Sequence, residues 1–206
     1  MEKLLTYIII KQKDGGNMSL WKLLTARWGS GAGETDEVRM DASTNTLQTI
    51  EYEHHEIHSG SSFTTSYVAD IGNGATLDML IETPAGTKYA HWFYEIDVEK
   101  EASLLIYEAV TATRGDAVVA YNRNRVGTPT AATVVVTSTP TSITPGSTII
   151  RSRHLGSGKT AGGGSRGLHE FILKPSTKYL FRLTNATTTD NFMSVEFDWY
   201  EHTDKH

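Results

Sequence analysis

Apolar and polar residues alternate most clearly near the C-terminus. Met193, Val195, Phe197 and Trp199 alternate with Ser194, Glu196, Asp198 and Tyr200. A period of two puts each set on its own face of a β-strand, so this segment predicts a half-buried strand with one apolar and one acidic face. Tyr179, Phe181 and Leu183 alternate with Arg182 and Thr184 in the same way, and Leu77, Met79 and Ile81 with Asp78, Leu80 and Glu82. Further strands are expected within 93–98, 102–110, 117–121, 132–137, 147–150 and 170–173. Turn signals separate them: Gly72-Asn73-Gly74, Pro84-Ala85-Gly86, Arg114-Gly115-Asp116, Gly127-Thr128-Pro129, Pro145-Gly146 and Lys174-Pro175-Ser176. About eight to ten strands at hairpin spacing predict an all-β chain folded as a jelly-roll-like antiparallel β-sandwich.

The pattern differs before residue 46. Leu20, Leu23 and Leu24 fall at helical spacing in a segment that also carries Trp21 and Trp28, and a glycine-rich stretch, 29–36, follows as a hinge. Residues 18–45 therefore read as an N-terminal arm and hinge, and 46–206 as the sandwich, with period two from Leu47 onward and no helix of ordinary length after residue 30. Residues 1–17 read as a translated leader. The run Asp14-Gly15-Gly16-Asn17-Met18 is encodable by a string containing the bacterial ribosome-binding sequence GGAGG, correctly spaced before Met18, which makes Met18 the expected start. The alternative is a genuine N-terminal strand, since Tyr7 to Ile10 has good β-propensity. The apolar run Leu4 to Ile10 is too short to cross a bilayer and has no small-residue cleavage site behind it, so neither a membrane span nor a standard signal peptide is expected.

Composition narrows the function. A chain of 206 residues buries roughly 70% of its unfolded surface and needs no staples. It has no cysteine, which removes disulfide scaffolds, thiol nucleophiles and cysteine-based metal sites. Lys and Arg total 19 against 24 Asp and Glu, a net charge of −5 with no basic stripe, which argues against a nucleic-acid partner.

The densest group of chemically capable side chains is Glu51 to His58. His54, His55 and His58, with Glu53 and Glu56, offer nitrogen and oxygen ligands for a divalent metal. On a strand, His54, Glu56 and His58 share a face and His55 points away. Three residues on one strand face span too far to hold one ion unaided, so the alternatives are a hydrogen-bonded polar strand or loop, or a ring of histidines around a threefold axis. Gly156-Ser157-Gly158-Lys159-Thr160 resembles the end of a phosphate-binding loop. Arg153 occupies the position of the required first glycine, however, and glycines at 162–164 cannot sustain the helix such a loop needs. The segment instead reads as a glycine-rich loop with basic residues Arg151, Arg153, Lys159 and Arg166. Arg123 and Arg125 are expected to pair with Glu196 and Asp198. Arg114-Gly115-Asp116 is ordinary turn chemistry, and Asn185-Ala186-Thr187 is a glycosylation sequon without a secretory context. No nucleophile–base constellation and no carboxylate in an apolar setting emerges, so no catalytic residue and no cofactor is expected.

Several segments together carry a resemblance: Val38 to Gln48, Glu53 to Phe63, Lys88 to His91, Tyr121 to Arg125, Glu170 to Lys174, Thr177 to Leu180 and Asp198 to Thr203. In this order they resemble a family of tailed-bacteriophage virion proteins whose members look like capsid decoration (auxiliary or cement) proteins with a jelly-roll domain. The resemblance covers roughly residues 38–204 and leaves out 1–17. It implies a non-enzymatic protein, made in the bacterial host cytoplasm and located on the virion capsid surface. Its implied partners are the major capsid protein and itself, as a homotrimer. Under that reading the contact residues are Leu20, Trp21, Leu23, Leu24 and Trp28 of the arm, and Arg151, Arg153, Lys159 and Arg166 of the loop. The alternative is a tail or head-fibre component binding host glycan, with Trp92 or Tyr94 stacking on sugar if either is exposed. A third class, a cupin-like metal enzyme, would need His54, His58 and His91 around one ion.

Overall fold

The computed structural model describes residues 52–126, 129–156 and 170–203, all within the second of the two units into which the chain divides, Glu51–His206. One helix, α1 (Tyr52–Ser59), opens this unit, and thirteen strands follow: β1 (Ser62–Ile71), β2 (Thr76–Glu82), β3 (Lys88–Val98), β4 (Ala102–Glu108), β5 (Thr111–Thr113), β6 (Asp116–Ala117), β7 (Tyr121–Asn122), β8 (Val135–Ser138), β9 (Thr141–Thr144), β10 (Thr148–Leu155), β11 (Phe171–Leu173), β12 (Lys178–Asn185) and β13 (Asn191–Thr203). The expected all-β sandwich is what the chain forms.

The first sheet has the order β11-β3-β13-β1-β7 and the second β10-β4-β12-β2-β8-β6. The antiparallel pairs are nested: β1 pairs with β13, β2 with β12, β3 with β11 and β4 with β10. The paired strands thus nest as one long hairpin, with β1, β3, β11 and β13 in the first sheet and β2, β4, β10 and β12 in the second. The segment between β4 and β10 is an insertion. It adds β6 and β8 to the edge of the second sheet and β7 to the first, and forms the separate β5–β9 hairpin.

Alternation dictates the core. Trp92, Tyr94, Ile96 and Val98 of β3 and Met193, Val195, Phe197 and Trp199 of β13 face Leu77, Met79 and Ile81 of β2, Leu104 and Ile106 of β4, and Tyr179, Phe181 and Leu183 of β12. Rings cross the interface between the sheets: Phe181 lies 5.1 Å from Phe197 and 5.5 Å from Tyr94, both near-perpendicular. Each such side chain contributes about 1.5–3 kcal/mol by leaving water. Leu80 and Leu180 point out of the opposite face yet are fully buried, because Val110 and Ala112 of the β5–β9 insertion cover them.

Several expectations need correction. Residues 52–59 form a helix rather than a period-two strand. Its end is fixed by Gly60 at φ +76°, with Gly60 N donating to Ile57 O and Ser61 N to Glu56 O. That pattern closes the helix through the left-handed conformation only glycine adopts freely. Strands β1, β5 and β9 lie outside the segments that the alternation predicts. The stretch 117–121 is not one strand: the chain leaves β6 in the second sheet and enters β7 in the first. The arm residues Leu20, Trp21, Leu23, Leu24 and Trp28, the leader 1–17, and Lys159 and Arg166 lie outside the described residues.

Candidate functional site

The resembling segments are far apart in sequence, yet five of them meet at one end of the first sheet. There β1 and β3 begin, β13 ends, and α1, β7 and β11 lie beside them. Ser61 O accepts from Glu201 N at 2.9 Å, and Ser62 O accepts from Arg123 N at 2.8 Å. The Asn122 side-chain amide donates to Gly60 O at 2.7 Å, and that of Asn124 to His58 O at 3.2 Å. These bonds join the helix, β1, β7 and β13 into one surface. Thr177 to Leu180 joins from the second sheet, where the Tyr179 hydroxyl accepts from Lys174 N at 2.9 Å.

On the outer face of this end, His91 Nδ1 lies 2.5 Å from Glu170 Oε1, and Tyr200 donates to the same oxygen at 2.7 Å. The His91 ring stacks on Tyr200 at 4.6 Å and on His202 at 4.4 Å. Register explains the grouping: His91 sits opposite both Tyr200 and Ile172, and Tyr89 opposite His202. One carboxylate thus holds His91 and Tyr200, and the His202 ring stacks on both. Pinning one imidazole nitrogen on a carboxylate orients the ring. Among the described residues the ring meets Glu170, Tyr200 and His202.

Beneath the patch, Glu201 is 3% exposed. Its Oε1 accepts from Trp199 Nε1 (3.0 Å), Thr133 N (3.0 Å) and Val134 N (3.1 Å), and its Oε2 from the Thr133 hydroxyl (2.5 Å). A buried carboxylate so supplied with donors clamps the segment before β8 onto β13. It lines a cavity of about 120 Å³ with Ser61, Lys88 and Thr130.

Tyr179 and Glu82 secure the neighbouring second sheet. Burial, aided by the charge of Glu108 and opposed by the Lys174 N–H, pushes the Tyr179 phenol up to about 12. Burial pulls the Glu82 carboxyl upward. Hydrogen bonds from Arg114 and Lys178 outweigh it and hold the carboxyl below the usual carboxylate range. Arg114 binds Glu82 Oε2 through Nε and Nη2, at 2.9 and 2.6 Å. Lys178 also donates to Ala112 O at 2.8 Å, fastening β5 over Leu80.

The expected site residues fall as follows. His54 and His58 come together on α1, with their Nε2 atoms 3.0 Å apart, while His55 lies 3.5 Å from Glu56. Among the described residues no group of three or more His, Asp or Glu is placed to hold a metal, so His54, His58 and His91 do not gather as the cupin-like reading requires. Trp92 and Tyr94 are 1% and 2% exposed, packed in the core rather than forming a sugar platform. Arg153 pairs in register with Leu104, and Arg151 with Ile106, which puts both arginines on the inward side of the edge strand β10. Arg125 lies 5.7 Å over the Tyr121 ring instead of pairing with Glu196 or Asp198. Glu170, Tyr200, Glu201 and His202 carry the site without having been singled out. Glu201 had a signal: it continues the apolar phase of Met193 to Trp199, where a charge demands buried partners.

In comparisons with known proteins, the chain matches no protein-family model, no curated protein and no solved structure.

Proposed function

We propose that the protein is a non-enzymatic capsid decoration protein of a tailed bacteriophage, bound to the outer surface of the major capsid lattice as a homotrimer. The observation that carries this reading is the convergence of the resembling segments. Five stretches scattered from residue 53 to residue 203 build one surface, in which a carboxylate orders stacked rings and a second carboxylate clamps the strands beneath. Segments that converge on one face of a rigid sandwich suit a partner-binding role. Such a surface repeated by symmetry makes many weak contacts strong in sum. A sandwich with one aromatic core supplies the rigidity a lattice clamp needs.

The test is the copy number of this protein in purified virions, measured by quantitative mass spectrometry against the major capsid protein. A ratio near one, or a simple fraction of one, supports decoration. A handful of copies per particle supports a tail or fibre part instead, and absence from the particle refutes both.

A further inference from the structure

His54 and His58 stand one helical turn apart on α1, on the same exposed side, with rings 4.6 Å apart and Nε2 atoms separated by 3.0 Å. This contact is a hydrogen bond in which one imidazole donates and the other accepts. The same separation has a second meaning. Two nitrogens bound to one ion at about 2.0–2.1 Å and at right angles are about 2.9 Å apart, whereas a tetrahedral angle spreads them to about 3.3 Å. The observed spacing is that of a hydrogen bond, and it brings both nitrogens within reach of a single ion.

The helix is held for such a role at its C-terminal end. Gly60 and Ser61 close it by backbone bonds to Ile57 and Glu56, and Asn124 grips the His58 carbonyl. The two rings therefore sit on a turn whose backbone is fixed before any ion arrives; binding through both Nε2 atoms requires the donating imidazole to take the tautomer with its proton on Nδ1, and the rings to turn so that both lone pairs meet at the ion. We propose that His54 and His58 form a surface chelate for a divalent transition ion of tetragonal preference, Cu²⁺ most strongly and Ni²⁺ next, with water completing the coordination. The order follows the general affinity of nitrogen ligands for divalent ions.

The experiment titrates the full chain with NiCl₂, and separately with CuCl₂, in a non-coordinating buffer. It compares wild type with His54→Ala, His58→Ala and, as a control elsewhere, His154→Ala. The expected result is one tight equivalent whose affinity falls at least about tenfold in either α1 variant, since even outer-shell partners cost that much, and is unchanged in the control. The electron paramagnetic resonance spectrum of the Cu²⁺ form should show coupling to two imidazole nitrogens in wild type and to one in each variant. Far-ultraviolet circular dichroism confirms that the variants stay folded. Unchanged affinity in both α1 variants, an equal loss in the control, or a spectrum showing one imidazole in wild type overturns the proposal. Copy number in the virion is indifferent to this outcome, so the two readings stand or fall separately.

Discussion

Replacing Glu201 with alanine tests whether the buried carboxylate, rather than apolar packing alone, holds the end of the sandwich together. The side chain serves four distinct donors. Thr133 is exposed and borders the cavity of about 120 Å³, so water takes over its N–H and hydroxyl after truncation. Val134 N and the Trp199 indole N–H are buried and have no such recourse. Each buried donor left unpaired costs about 1–3 kcal/mol, and removing a buried charge returns part of the sum, leaving a net loss of about 3 kcal/mol. With a urea slope of about 2 kcal/mol/M, the midpoint should fall by about 1.5 M. Glutamine is the informative control. Its oxygen can keep the Oε1 position, which takes three of the donors, and its amide can donate to the Thr133 hydroxyl turned acceptor. Glu201→Gln should therefore cost less than about 1.5 kcal/mol, one hydrogen bond's worth. The assay is equilibrium urea unfolding followed by tryptophan fluorescence, with hydrogen exchange at Val134 as a local readout. An alanine variant within about 0.5 kcal/mol of wild type, the noise for surface substitutions, would refute the clamp. A glutamine variant as damaged as alanine would show that charge, not donor count, is what matters there.

Other consequences follow from the insertion and the second sheet. A Cβ at residue 146 would strike the Glu108 carbonyl, so Gly146→Ala should loosen the β5–β9 cover and lose amide protection at Leu80 and Leu180. Gly74→Ala is a contrast: φ is +65° but the space is open, so only the left-handed backbone penalty of about 1 kcal/mol is expected; equal effects in the two variants would dismiss the clash. Because Glu82 titrates below its ordinary 4.5 when folded, its contribution to stability is present above pH 4.5 and lost as pH falls through the lower folded value. The stability gap between wild type and Glu82→Gln should accordingly shrink on acidification in a urea series below pH 5, and a gap independent of pH would contradict this. Tyr179 titrates near 12 rather than 10, so its contribution is present below pH 10 and lost as pH rises towards 12. The absorbance difference at about 295 nm between wild type and Tyr179→Phe should show a step near that value, above the ordinary phenol range.

The sequence exposes most of this fold because a strand buried on one face records that burial in every second residue. β13 and β12 show the rule at full strength, and β3 shows it one residue out of phase with a reading that begins at Phe93, since Trp92 leads the inward set. β1 obeys the same rule through Phe63, Thr65, Tyr67, Ala69 and Ile71, but threonine and alanine blur the contrast that makes alternation visible. β2 breaks the rule at Leu80 because an insertion that begins about thirty residues later covers the outer face there, a contact no local pattern encodes. The helix escapes for a different reason. Positions 54 and 58 share a face under a period of two as well as under a helical turn, so their pairing is legible while the element is not. What separates the two geometries is distance: along a strand those rings stand about 13 Å apart, whereas on α1 their nitrogens touch. The surface at the end of the first sheet was legible in its segments and illegible in its assembly. His91 and Tyr200 come from β3 and β13 and Glu170 from the residue before β11, three segments whose adjacency is set by nested pairing across more than a hundred residues. Nested pairing places the first half of the roll against the last, so a surface built where its first and last strands meet necessarily draws on residues that are remote in the chain. Chemistry confined to one element is readable in such a fold from the sequence alone; chemistry shared between elements becomes readable only once the strand order is known.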